Sequence, residues 1–300
     1  MSDTMKTNLV ISLFITLFLC SCEWKSDVDD PVLNKLGTGH GIVTYTDYEP
    51  LKAKPINLHF YIPEGDIKTM PIVFILPGTG RNANDYLAAW MKNFKSKEVI
   101  AIALEFPQEY YSTSEYIEGN MFKKNEALPE EQWSFSVIEA IFSYVKAETG
   151  NQVTQYSMFG HSAGAQFVHR FVTFKQNTHL NKAVAANSGW YTVPDVQIEY
   201  PYGLKNSCYT DNTTLSHLFG SSLIVALGDQ DIDPNDNSLR HDEQSDAQGL
   251  YRFARGEYYY SEGERISKTC NMVFNWKKVI VKGVAHDFEA MMVQTINYLF

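Results

Sequence analysis

This chain lacks a basic cluster, a hydrophobic run long enough to cross a bilayer, and any internal repeat or low-complexity segment. Each absence closes off a class of protein. With 25 Lys and Arg against 35 Asp and Glu, the formal net charge is -10, which argues against nucleic acid as a partner. The most apolar stretch, within residues 8–22, holds about a dozen apolar residues where a bilayer span needs roughly 20. What is present instead is core material. Of the 300 residues, 44% are hydrophobic and 14% aromatic, ample for a packed interior and unlike a disordered chain.

The amino-terminal stretch has the length of a signal-peptide core. It ends in Leu19-Cys20-Ser21-Cys22, which resembles the lipobox of bacterial lipoproteins. That resemblance implies a signal peptide over 1–21, lipid on Cys22, a polar linker over 22–40 and a folded domain over 41–300. The expected location is the cell envelope, most simply the outer membrane, with a periplasmic or secreted protein as the alternative. Membrane contact would then be through the lipid alone. Asp27, Asp29 and Asp30 resemble the acidic flank of surface-exported lipoproteins. Of the four cysteines, Cys20 would leave with the signal and Cys22 carry lipid. Cys208 and Cys270 would remain in an oxidising compartment, where a disulfide between them is expected.

From about residue 40, short apolar runs alternate with helix-period segments, the pattern of an α/β fold with a mostly parallel sheet. Residues 72–76 and 99–104 read as buried strands. Residues 130–150 place Trp133, Val137, Ile141 and Tyr144 on one stripe and close with Gly150, a helix with a glycine stop. The segments 190–221 and 257–264 read as insertions over the carboxyl edge of the sheet, where such folds place their sites.

Two turns carry chemistry. Val73–Trp90 runs from a strand through Gly78-Thr79-Gly80 into a helix. Gly78, Gly80 and Ala83 satisfy the dinucleotide pattern G-x-G-x-x-A, with Glu105 as the ribose acid. The same geometry equally suits an oxyanion hole. The second turn favours the latter. Gly160-His161-Ser162-Ala163-Gly164 is a G-x-S-x-G that follows a buried strand and continues into Phe167, Val168 and Phe171 at helical spacing. That is the strand-elbow-helix arrangement that exposes a nucleophilic serine. A serine needs a histidine base and an orienting acid, and in this fold they follow in the order Ser, Asp or Glu, His. His286, between the last strand and the last helix, suits the base. Asp231 suits the acid, at G-x-x-D spacing from Gly228, with Asp229 and then Asp233 as alternatives. The same aspartates brush against a calcium-loop pattern, but Pro234 stands where glycine is needed and Arg240 where glutamate is needed, so no metal is expected.

Together, residues 76–86, 159–171, 226–234 and 281–288 resemble the α/β-hydrolase superfamily, especially its secreted esterases related to polyhydroxybutyrate depolymerases and feruloyl esterases. The resemblance covers nearly all of the chain after residue 40. It implies a mostly parallel sheet with helices on both faces and a serine ester hydrolase that needs no cofactor. Ser162, Asp231 and His286 would be the triad, and the N–H groups of Ala163 and Thr79 the oxyanion hole. Many relatives carry histidine before the first glycine of the oxyanion loop; here Pro77 stands there, so Gly80 is the alternative to Thr79. Aromatic residues in the insertions, Trp190, Tyr191 and Tyr110 foremost, are expected to line a platform for an extracellular ester such as an acylated polysaccharide or short polyester. A non-catalytic binding lipoprotein of the same fold is the competing reading, and no protein partner is inferable.

Overall fold

The computed structural model describes residues 35–208 and 211–300. The expected signal segment, Cys22 and most of the expected linker lie outside the described residues.

Among the described residues, ten strands and eight α-helices alternate along the chain. They are β1 (Gly39–Tyr45), β2 (Ile56–Ile62), β3 (Ile72–Leu76), α1 (Ala83–Phe94), β4 (Ile100–Glu105) and α2 (Thr113–Ile117). A small hairpin follows, β5 (Phe122–Lys123) and β6 (Glu126–Ala127), then α3 (Val137–Thr149), β7 (Tyr156–His161), α4 (Ala163–Phe174) and β8 (Leu180–Ala186). The last third holds α5 (Asn212–Gly220), β9 (Leu223–Gly228), α6 (Glu243–Gln248), α7 (Arg252–Thr269), β10 (Lys277–Val281) and α8 (Phe288–Thr295).

Eight strands form one sheet in the order β1-β2-β4-β3-β7-β8-β9-β10. The β1–β2 and β2–β4 pairs are antiparallel; from β4 to β10 every pair is parallel. The alternation of side chains along a strand splits the interior into two cores. Ile72, Phe74 and Leu76 of β3 face one core with Ile138 and Ile141 of α3, Phe167 and Phe171 of α4, and Leu218 of α5. Val73 and Ile75 face the other, with Tyr86, Leu87 and Trp90 of α1 and Met291 and Met292 of α8. Both faces of the sheet are therefore covered, which is why its central strands are apolar throughout rather than alternating.

The glycine stop of α3 is where the pattern predicts it, with Gly150 at φ 69°. The start differs. Trp133 closes a short 3-10 turn before the helix, and Ile138 and Phe142 fill the buried stripe instead of Tyr144. A larger difference concerns 257–264, expected as an insertion. These residues lie within the 18-residue helix α7, the crossover between β9 and β10, and its Tyr259 is buried between Tyr191 and Trp276. Among the described residues no helix is long and apolar enough to cross a membrane.

Candidate active site

Parallel strands end at one edge of a sheet, and three of those ends bring together residues far apart in sequence. At the first, β7 stops at His161 and α4 begins at Ala163, leaving Ser162 at φ 56° and ψ -116°. A non-glycine residue held there costs on the order of 1–3 kcal/mol, and it aims the hydroxyl out of the turn. The flanking glycines are steric necessities. A Cβ on Gly160 would sit 2.3 Å from the Gly164 carbonyl oxygen, and one on Gly164 would sit 1.9 Å from that of Leu76. All of α4 is buried, so the elbow is backed by packed core on every side.

His286 lies on the loop between β10 and α8. Its Nε2 is 3.0 Å from Ser162 Oγ and its Nδ1 is 2.7 Å from Asp231 Oδ2. A carboxylate only accepts, so Nδ1 carries the proton and Nε2 presents its lone pair to the serine. Asp231 is 4% exposed and accepts a second hydrogen bond, from Arg252 Nη1 at 3.3 Å. Arg252 in turn pairs with Asp236 at 3.1 Å and holds that carboxyl well below the usual range. The other two aspartates face elsewhere. Asp229 accepts from the Gly283 N–H at 2.7 Å, and Asp233 from the Asn235 N–H at 2.8 Å.

The acid loop and the histidine loop are tied to each other by backbone. The Gln230 N–H donates to the Val284 carbonyl at 2.9 Å, and the buried Asn187 bridges Gly228 N–H and Ala285 C=O. Gly228 allows this closeness, since a Cβ there would lie 2.4 Å from the Val284 oxygen.

The Gly78–Arg81 turn lies beside the elbow: a Cβ on Gly78 would be 3.5 Å from Ser162 Cβ. The Gly78 N–H is taken, donating to Tyr86 Oη at 3.0 Å. The Gly78 carbonyl accepts from Arg81 N–H at 3.0 Å, and in a trans peptide this turns the Thr79 N–H the opposite way. The Thr79 carbonyl accepts from both Arg81 Nη1 and Gln108 Nε2 at 2.9 Å, which directs the Gly80 N–H away from them. Among the described residues none makes a hydrogen bond to the Thr79 N–H. The Ala163 N–H opens α4, where a helix leaves its first donors without partners.

Behind the turn lies a contact that no sequence motif marks. Tyr86 Oη, which accepts from the Gly78 N–H, also makes a hydrogen bond with His161 Nδ1 at 3.2 Å. The His161 ring is 4.6 Å from that of His286, and Tyr86 stacks on Phe288 at 4.1 Å. Burial, then the neighbouring His286, hold the His161 imidazole well below its usual pKa, so it stays neutral beside that second ring.

Two expectations are corrected here. Trp190 and Tyr191 are 2% and 0% exposed and form no open platform. Trp190 is clasped between the Arg170 and Arg240 guanidinium groups at 4.0 and 5.1 Å, while Tyr191 stacks on Tyr259 at 4.4 Å. Their aromatic surface packs the insertion onto the sheet. Tyr110 is half-buried against the same core. The disulfide is also absent: Cys208 and Cys270 are free thiols. Cys208 is half-buried near Tyr200 and Glu130, and burial pushes its thiol up, whereas Cys270 is exposed at the end of α7. Parity and compartment favoured a bridge, but neither brings two Cα atoms within the roughly 4.4–6.8 Å that one requires.

No sequence-family profile matches the chain, and no curated protein does. Solved structures do. They place the chain among the ester hydrolases of the α/β-hydrolase superfamily, to which it belongs. It is 35% identical to poly(aspartic acid) hydrolase-1 from Sphingomonas sp. KT-1, with TM-score 0.84 over 88% of this chain and 99% of that one. A poly(3-hydroxybutyrate) depolymerase from Bordetella parapertussis is 28% identical, with TM-score 0.82 over 87% of this chain and 88% of that one. A ferulic acid esterase, 12% identical with TM-score 0.52 over 88% of this chain and 96% of that one, shares the fold.

Proposed function

We propose that the chain is a serine hydrolase of carboxylic esters that works through an acyl-enzyme, with Ser162 as nucleophile, His286 as base and Asp231 as the orienting acid. The observation that carries this reading is the unbroken relay Ser162 Oγ–His286–Asp231, at 3.0 and 2.7 Å. Ser162 Oγ attacks the ester carbonyl as its proton passes to His286 Nε2, and the charge on the carbonyl oxygen meets the N–H groups of Ala163 and of Thr79, with Gly80 as the neighbouring donor. The imidazolium then protonates the departing alcohol. Water, deprotonated by the same nitrogen, attacks the acyl-enzyme and frees the acid and Ser162. Arg252 holds Asp231 in place and compensates its charge.

The substrate is an extracellular ester, either an acylated polysaccharide or a short polyester. Support for a polymer comes from the two polymer-named hydrolases among the similar structures. The address rests on the lipobox resemblance: Cys22 carries lipid and tethers the enzyme to the envelope. A fluorophosphonate probe should label the folded wild-type protein and leave Ser162→Ala unmarked; unlabelled wild type would sink the serine mechanism. Feeding a fatty-acid analogue to the host should mark the full-length chain but not Cys22→Ser, which should leave the membrane fraction.

A further inference from the structure

Arg81 is a cation with no counter-ion among the described residues. It ends the turn beside Ser162 and is 3% exposed. Its guanidinium lies 3.8 Å from the centre of the Tyr116 ring, and Nη1 donates to the Thr79 carbonyl. Its Nε is buried without an acceptor, Nη2 makes no hydrogen bond, and no carboxylate among the described residues lies within ion-pair reach. Two of the other buried arginines have counter-ions: Arg252 and Arg255 pair with Asp236 and Asp246 at 3.1 and 3.0 Å. Arg170 spends Nε and Nη1 on Thr192, Ile117 and Gln166 and feels the charge of Glu118, although its Nη2, like Arg252 Nε, is buried without an acceptor.

A guanidinium taken out of water without an anion has lost hydration and gained little in return. Stacking on Tyr116 recovers part of the loss, fixes the plane and leaves the edge of the fork to bind. That edge belongs to the same four-residue turn that abuts the nucleophile. The whole chain carries a formal charge of -10, so an anionic substrate would be repelled unless a fixed cation received it at the site.

We propose that Arg81 is a specificity-determining residue that pairs with a carboxylate of the substrate, so that the preferred substrate is an ester bearing a free carboxylate on its acyl portion. This rests on the serine-hydrolase reading above. The fork geometry of arginine suits a carboxylate, and the pair would form beside the oxyanion turn, where the acyl group must lie.

The test compares two esters of equal chain length, monoethyl succinate and ethyl butyrate, which differ in a terminal carboxylate against a methyl group. Wild type should favour the charged ester in kcat/KM by on the order of tenfold or more, and added salt should shrink the preference. In Arg81→Gln both rates fall, because the Thr79 carbonyl loses a donor, but the ratio is the readout and should drop by on the order of 10- to 100-fold. Arg81→Lys should keep part of it. Succinate dianion should compete with ethyl butyrate in wild type, a measurement that needs no variant to fold. Turnover of ethyl butyrate with no preference for its charged partner, or a ratio unchanged in Arg81→Gln, overturns the assignment and leaves the hydrolase reading standing. No fluorophosphonate labelling and no turnover of either ester would instead remove the serine mechanism, and this assignment with it.

Discussion

Three aspartates within five residues differ only in what their carboxylates can reach, and that difference should dominate the kinetics. Asp231→Asn removes the acceptor that fixes the Nδ1–H tautomer of His286, so kcat should fall by on the order of 10^4 with KM little changed. Asp229→Asn weakens contacts to the Gly283 N–H, Gln230 and Lys282, none of them to His286, and should cost about tenfold or less. Steady-state kinetics on one ester distinguishes them, and a crippled Asp229→Asn beside a mild Asp231→Asn would reverse the assignment. Tyr86→Phe is a subtler case. It leaves Gly78 N–H and His161 Nδ1 without partners behind the oxyanion turn, so kcat should fall by roughly tenfold while KM holds, a split that separates positioning from substrate binding. Residues of this second kind were not legible in the sequence. Ser162 sits in a motif, and Asp231 and His286 follow from chain order, whereas Tyr86, Asn187 and Arg252 act through contacts that close only when distant loops meet. Trp190 and Tyr191 were misread for a related reason, since an aromatic residue in an insertion looks the same whether it faces a ligand or the core.

At the scale of elements, the fold was legible where periodicity is unambiguous. The five-residue apolar run of β3 and the elbow between β7 and α4 form where the pattern places them. The helix α7 escaped because its sequence is mostly polar: residues 257–264 carry a single deeply buried ring, Tyr259, and the other buried positions of the helix are Arg252, Arg255, Gly256, Gly263 and Ser267 rather than aliphatic residues. The elbow makes a sharp prediction about glycine. Gly164→Ala would drive a methyl group to 1.9 Å from the Leu76 oxygen, and Gly160→Ala to 2.3 Å from that of Gly164, so each should cost more than about 3 kcal/mol or prevent folding. Gly220, at the end of α5, has open space around its Cβ position, and Gly220→Ala should change stability by less than about 1 kcal/mol. Urea denaturation of the three variants checks both halves; equal losses at all three would mean that the elbow is not under steric constraint.

For the whole molecule, the pH dependence of stability follows from histidines buried in the neutral form. His161 and His169 are both held well below their usual pKa, chiefly by burial. Above about pH 6.5 neither the native nor the unfolded chain protonates them, and their contribution to stability is complete. As pH falls below that, the unfolded chain takes up two protons that the native one refuses, so stability should decline by up to about 1.4 kcal/mol per pH unit for each. Urea midpoints between pH 6.5 and 5 should show the slope, and His161→Gln should flatten it by roughly half. The same global view gives the elbow another meaning. Ser162 and His286 are 124 residues apart in the chain, and His286 is set between β10 and α8. On the proposed mechanism a growing chain therefore carries an idle serine until β10 and the loop after it have been made and have docked, and turnover itself becomes a sensor of whether that crossover has found its place.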